Sequence, residues 1–221
     1  MNGHIMMYQQ FWAESFYTII VIILLSLIYL KSREMYKLTE HKGIKYFSYT
    51  FLFFALAHIL RFFFRFFFRN FMQLGFFMPG RPPFNIGQIF FIYTSVMAGL
   101  FLLYSVIWKQ LKWNENLVII LFNIFAILAT IIDFLTRNPY YHVVLMTFLF
   151  SLTVIISLFK KSKRRHTFFI AYILIFLIWI INLISIEIPR FLFQLRFLLY
   201  MISVGIYLLI LWRLQYGQKK R

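Results

Sequence analysis

Seven apolar stretches, each about 20 residues long, succeed one another along the whole chain. An α-helix of that length spans the hydrocarbon core of a bilayer, because it rises ~1.5 Å per residue across ~30 Å. The predicted spans cover residues 11–30, 46–68, 86–108, 117–135, 141–159, 168–188 and 191–212. We therefore predict an all-α fold: a polytopic integral membrane protein, built as a seven-transmembrane-helix bundle.

The connections between these spans are short and rich in turn residues and charges. The longest covers about 69–85 and contains the proline-rich run 79–83, and another turn is marked by Asn138-Pro139. The N-terminal segment lacks a basic region and places Glu14 inside the first span, which is unlike a cleaved signal peptide. We expect one membrane domain over residues 1–221 and no soluble domain.

Composition excludes several classes of protein. Apolar residues make up 62% of the chain and charged residues only 13%, which a soluble domain of this size would not show. The absence of cysteine excludes disulfides, thiol catalysis, iron–sulfur clusters and cysteine-ligated zinc.

The charges predict an orientation. There are 23 Lys and Arg against 6 Asp and Glu, and sixteen of the cations lie in alternate connections and the tail, at 31–45, 109–112, 160–165 and 213–221. By the positive-inside rule these segments are cytoplasmic, so the N-terminus lies outside and the C-terminus inside. The predicted location is the cell membrane, as a multi-pass protein. The basic segments are expected to contact anionic lipids or a protein partner rather than nucleic acid.

The other seven cations are all arginine, whereas all eleven lysines belong to the cytoplasmic group. These arginines are Arg61, Arg65, Arg69, Arg81, Arg137, Arg190 and Arg196. Three acids, Glu14, Asp133 and Glu187, lie in the same outer half. Arginine binds carboxylate or phosphate through two parallel hydrogen bonds, which favours a specific role over a topological one.

Depth strengthens that interpretation. Arg61 follows Lys45 by sixteen residues, which places it about 24 Å from the inner boundary and within the hydrocarbon. A charge at such depth costs about 2–3 kcal/mol or more unless it is paired or hydrated. His58, Arg61 and Arg65 share one helix face, because they lie at i, i+3 and i+7.

Similar polar stripes on the fourth, sixth and last spans predict an outward-facing cavity that is cationic on balance. Its expected occupant is a small anionic ligand, a carboxylate or phosphate clamped by Arg61, Arg65 and Arg196. The predicted ligand-binding residues are His58, Arg61, Arg65, Asp133, Asn182, Glu187, Arg196 and Tyr200. The structural alternative is that the outer acids neutralise these arginines in interhelical ion pairs, among them Asp133–Arg137, and that Arg65 reaches lipid phosphates.

No cofactor or metal is expected. His58 and His142 form a pair that could hold a b-type haem, but hydrogen bonding is the interpretation that the pattern favours. Retinal is excluded, because the last span contains no lysine to form a Schiff base.

Two functions fit this pattern. A sensor or receptor-like protein would bind the ligand outside and relay to a cytoplasmic or membrane partner, or to a second copy. The alternative is an anion transporter or facilitator, with Ala98–Leu103 and Val204–Leu209 suggesting a 3+1+3 helix repeat. We favour the sensor, because the charges stop in the outer third. The chain contains no hydrolase or phosphate-loop motif, which favours a protein that is not an enzyme.

Overall fold

The computed structural model describes residues 2–73, 86–111, 113–136, 138–159, 166–187 and 192–219. Seven α-helices account for nearly all of these residues: α1 Asn2–Thr39, α2 Lys42–Gln73, α3 Ile86–Leu111, α4 Glu115–Thr136, α5 Pro139–Phe159, α6 His166–Glu187 and α7 Phe193–Lys219. Each is long and apolar enough to cross a membrane. The predicted all-α fold with seven such helices is confirmed.

The first two helices extend beyond their apolar segments and meet in a tight turn. α1 ends where Glu40 adopts a left-handed conformation, with φ of 49°. The N–H of Glu40 donates to the Tyr36 carbonyl at 2.7 Å, which closes the end of the helix. α2 begins at Lys42, so α1 and α2 become neighbours that run in opposite directions.

The starts of α4 and α5 follow from capping residues in the sequence. The Asn114 side chain accepts a hydrogen bond from the N–H of Asn116 at 3.3 Å. Asn138 accepts from the N–H of Tyr140 at 3.0 Å, and Pro139 occupies the first position of α5. An asparagine cap followed by proline is a typical helix start, because proline has no N–H to leave unsatisfied.

Six helices pack into a closed ring in the order α1, α2, α3, α5, α6 and α7, and α7 returns to α1. α4 lies outside this ring, against α3 and α5. Across the parts of the chain that are described, helices on opposite sides of the ring make no backbone contact. The middle of the ring is therefore occupied by side chains or left as space.

The ring has two chemically different ends. At one end Glu14, in the N-terminal half of α1, pairs with Arg196 near the start of α7. At the other, Lys45 near the start of α2 pairs with Glu115 at the start of α4. We call these the arginine end and the lysine end.

Aromatic side chains close the middle of the ring towards the lysine end. The buried Phe47 ring lies 5.3 Å from the Phe168 ring and 5.7 Å from the Tyr172 ring, centroid to centroid. The Tyr172 hydroxyl is 3.0 Å from the hydroxyl of Ser105 on α3. We call Phe47, Phe168 and Tyr172 the aromatic plug, since they join α2 and α6 across the ring.

The outer surface of the bundle is strongly apolar, and α4 shows this best. Its buried residues are Val118, Ala126, Ala129, Thr130 and Asp133, and most of its leucine, isoleucine and phenylalanine side chains are exposed. An exposed apolar face of this extent is typical of a surface that contacts lipid or another protein.

Packing at the lysine end leaves no room at Gly43, where an added Cβ would lie 2.7 Å from Trp108 Nε1 and 2.9 Å from the Ser105 carbonyl oxygen. We expect Gly43→Ala to destabilise the protein by about 1–3 kcal/mol through overpacking. Gly205→Ala is the matched control, because nothing lies within 4 Å of its added Cβ and alanine favours helix. Thermal unfolding in detergent measures both, and equal midpoints for the two variants would contradict the prediction.

Candidate ligand-binding cavity

A cavity of about 760 Å³ lies inside the ring at the arginine end, and all seven helices contribute to its wall. Six of the eight residues predicted from the sequence line it: His58, Arg61, Asp133, Asn182, Arg196 and Tyr200. The side chains of the other two, Arg65 and Glu187, lie outside the described part of the structure. Residues far apart in the sequence are thus brought around one space.

Arg196 is held by an acid from the first helix. Its Nη1 lies 3.3 Å from Glu14 Oε1, and both side chains are largely buried, at 13% and 18% exposure. This contact corresponds to the structural alternative, in which an outer acid neutralises an arginine. The pair closes the ring by joining α1 to α7.

Tyr17 is a cavity residue that sequence reasoning missed. Its hydroxyl donates to Asn182 Oδ1 at 2.9 Å, and its ring stacks on Tyr200 with 4.3 Å between centroids. It therefore connects α1 to both α6 and α7 and positions two of the predicted residues. The available signal was its spacing, since Tyr17 lies one helical turn after Glu14 on the same face.

Arg61 extends from α2 towards α3. Its guanidinium carbon lies 5.1 Å from the centroid of the Phe91 ring, within the range of a cation–π interaction. Its side chain remains exposed to the cavity, and His58 precedes it by one turn. An aromatic face steadies a guanidinium while leaving its N–H groups able to bind oxygen atoms.

His142 and Ser95 form a buried polar contact on the α3–α5 side, with Nε2 and Oγ 3.3 Å apart. The Ser95 hydroxyl already donates to the Phe91 carbonyl at 2.7 Å, so we assign it as the acceptor from His142 Nε2–H. His142 Nδ1 has no hydrogen-bond partner among the described atoms and can accept one from a ligand or water. Because the serine proton is directed to a backbone carbonyl, this pair is arranged as a structural hydrogen bond and not as a nucleophile with its base.

Asp133 reaches the cavity mouth from α4, and its carboxylate accepts the backbone N–H of His142. Its predicted partner Arg137 lies outside the described residues. The described lining thus carries two arginines, Arg61 and Arg196, and two acids, Glu14 and Asp133. No group of three or more potential metal ligands occurs in the described ranges.

α4 is tied to the ring by polar contacts along its length. Besides Asp133, Asn123 accepts a hydrogen bond from Tyr93 on α3. At the lysine end Glu115 binds Lys45 at 2.6 Å and Lys42 at 3.1 Å. A helix that is otherwise exposed and apolar is therefore connected to the cavity at one end and to α2 at the other.

A protein of Archaeoglobus fulgidus, described as an uncharacterized protein, is 30% identical to this chain over 210 residues. The similarity covers 91% of this chain and 90% of the archaeal one. The two proteins belong to one family. No protein-family model and no solved structure matches the chain.

The similarity to the archaeal protein extends over most of the chain, including most of the helices that surround the cavity. Because the similarity covers 91% of this chain, the family relationship extends over most of the seven-helix unit and is not confined to a single segment of it.

Proposed function

We propose that this is a multi-pass integral protein of the cell membrane, with the N-terminus outside and the C-terminus in the cytoplasm. The apolar outer surface of the bundle supports insertion in a bilayer, because contact of these exposed apolar side chains with lipid is more favourable than contact with water. The lysine end would face the cytoplasm and its anionic lipids, in accordance with the positive-inside rule.

Within that membrane the protein would act as a sensor or receptor-like protein. A small anionic ligand, a carboxylate or phosphate, would enter the outward-facing cavity and bind at Arg61. The observation that carries this proposal is the arrangement along the ring axis: the arginine end holds a 760 Å³ cavity, and beyond it the aromatic plug joins α2 to α6 across the ring. A cavity that does not continue to the other end of the ring suits the binding of a ligand better than its transport across the membrane.

α4 offers a physical route for the relay. A ligand that moves Asp133 would act on α4, whose other end holds Lys42 and Lys45 through Glu115. Because the backbone of α4 approaches only α3 and α5 in the described structure, and Glu115 joins it to α2 through side chains alone, α4 can shift without dismantling the ring. The partner that reads this shift would lie at the cytoplasmic face or in the membrane, or would be a second copy of the chain.

A transporter or facilitator for small anions is the second candidate, and one observation favours it. α1–α3 and α5–α7 contribute three neighbouring helices each to the ring, and α4 links them from outside. This is the contact order that a 3+1+3 repeat would produce, and such repeats form translocation paths at their interface. In this proposal the aromatic plug would be a gate that opens.

Reconstitution in liposomes separates the two proposals. With labelled acetate and phosphate as probes, we expect binding that is lost in Arg61→Ala and no saturable flux. Arg33→Ala is the matched control, because Arg33 is exposed near the lysine end and contacts Tyr29, away from the cavity. Saturable flux that depends on Arg61 would favour the transporter, and a wild type that binds neither these anions nor a longer carboxylate such as decanoate would leave only a structural role for the arginines.

A further inference from the structure

The cavity has a polar rim and an apolar interior, and the two parts lie at different depths. Glu14, Arg61 and Arg196 belong to the rim. The interior wall includes buried residues from five different helices: Leu25, Phe51, Phe150, Ile175 and Tyr207. Such a cavity offers charge at one end only.

The distance between the two parts follows from helix geometry. Leu25 lies eleven residues beyond Glu14 on α1, and Phe51 ten residues before Arg61 on α2. At ~1.5 Å per residue both separations come to about 15 Å. The space therefore extends well below the guanidinium of Arg61, as far as Phe51, which lies one helical turn from Phe47 of the aromatic plug.

A small hydrated anion does not match this shape. Bound at the rim, it would leave the apolar interior empty or filled with water that finds few hydrogen-bond partners there. A volume of 760 Å³ is within the usual range for sites that enclose an organic ligand, whose apolar part contacts such walls. An apolar tail would gain free energy over the whole depth.

The charges of the rim restrict the headgroup. Arg196 is paired with Glu14, and Asp133 adds a second negative charge at the mouth. Two arginines and two acids leave the described rim without a surplus of positive charge, so a dianion would be repelled more than a monoanion. Asn182 and Tyr200 supply neutral hydrogen-bonding groups beside Arg61.

We infer that the ligand is a single-tailed amphiphilic monoanion, with its carboxylate at Arg61 and its alkyl tail in the apolar interior. This inference rests on the proposed function and narrows its ligand to one class. A fatty acid of medium length has the required chemistry, whether it arrives from solution or from the bilayer.

The experiment uses the full chain in phosphatidylcholine nanodiscs, with decanoate brominated at its terminal carbon as the probe. Trp179 lines the cavity with its ring 5.4 Å from Phe150, so bromine at the tail end should quench its fluorescence. We expect a saturable quenching component that Trp179→Phe removes and that unlabelled decanoate displaces. Quenching that never saturates would overturn the inference, because it reports only partition into lipid.

A competition series tests the tail and the headgroup separately. From acetate upward, affinity should rise about fourfold per methylene and then level off at the depth of the cavity. Decanol should compete about 10–100-fold more weakly than decanoate. Arg61→Gln should abolish that preference, Arg61→Lys should keep part of it, and Arg33→Gln should leave it unchanged.

The outcomes distinguish this inference from the proposed function. If acetate competes as well as decanoate, the inference of an amphiphilic ligand is wrong, and the proposal of an anion-binding sensor stands. Decanol that equals decanoate in the wild type would overturn the anionic headgroup and the proposed function with it. Loss of decanoate binding when phosphatidylglycerol is added to the bilayer would overturn the single tail in favour of a two-tailed lipid.

Discussion

Replacing Arg196 by methionine is expected to lower the free energy of unfolding by about 3–5 kcal/mol, because it leaves the Glu14 carboxylate buried without its partner. Both side chains are more than four-fifths buried, so water replaces little of the lost interaction. Methionine keeps most of the volume of the arginine stem, which limits the contribution of lost packing. Unfolding in mixed detergent micelles measures the change.

The double variant Glu14→Gln with Arg196→Met should recover much of that loss, since no charge is then left behind. Lys31→Met is the control, because the Lys31–Glu34 pair at 2.8 Å is exposed and should contribute less than about 1 kcal/mol. Strict additivity of the two single changes would contradict coupling between Glu14 and Arg196.

Phe47→Ala is expected to destabilise the protein by about 3 kcal/mol. Phe47 is fully buried and contacts Phe51 as well as the two other rings of the aromatic plug, so alanine leaves a void that the facing helices cannot close. The same unfolding assay measures it. Inside a bilayer this loss reflects packing, because helices in lipid gain little from the hydrophobic effect.

Phe148→Ala is the matched control for that substitution. Phe148 belongs to α5 and is 59% exposed on the outer surface, where lipid would contact phenylalanine and alanine alike. We expect a change of less than about 0.5 kcal/mol. A comparable loss in both variants would mean that the aromatic plug does not hold the ring together.

Much of the fold could be predicted from local sequence. A helix needs only its own backbone partners, so apolar length located all seven helices, and Asn138 with Pro139 located the start of α5. The helix α1 extends beyond the predicted span 11–30 at both ends, since helical hydrogen bonding continues through polar residues until Glu40 interrupts it. Helix ends depend on capping geometry, which composition does not report.

The sequence predicted which residues belong to the candidate site but not which contacts they make. Arg61 and Arg196 were identified because a charge in an apolar span must have a polar environment. The cavity itself, and the order of helices around it, depend on which helices touch, and apolar faces of similar composition do not specify their neighbours. Whether the cavity binds a ligand remains a prediction.

The sequence by itself determined that the chain is helical, that seven helices are apolar enough to span a membrane, and that all eleven lysines fall in the basic segments whereas seven of the twelve arginines fall outside them. These properties follow from local hydrogen bonding and from residue-by-residue polarity. Only the tertiary structure decided that Glu14 meets Arg196, that Tyr17 meets Asn182, and that α4 stays outside the ring. The physical reason is that these contacts join helices distant in sequence, and their partners are selected by the packing of complementary surfaces and the pairing of buried polar groups.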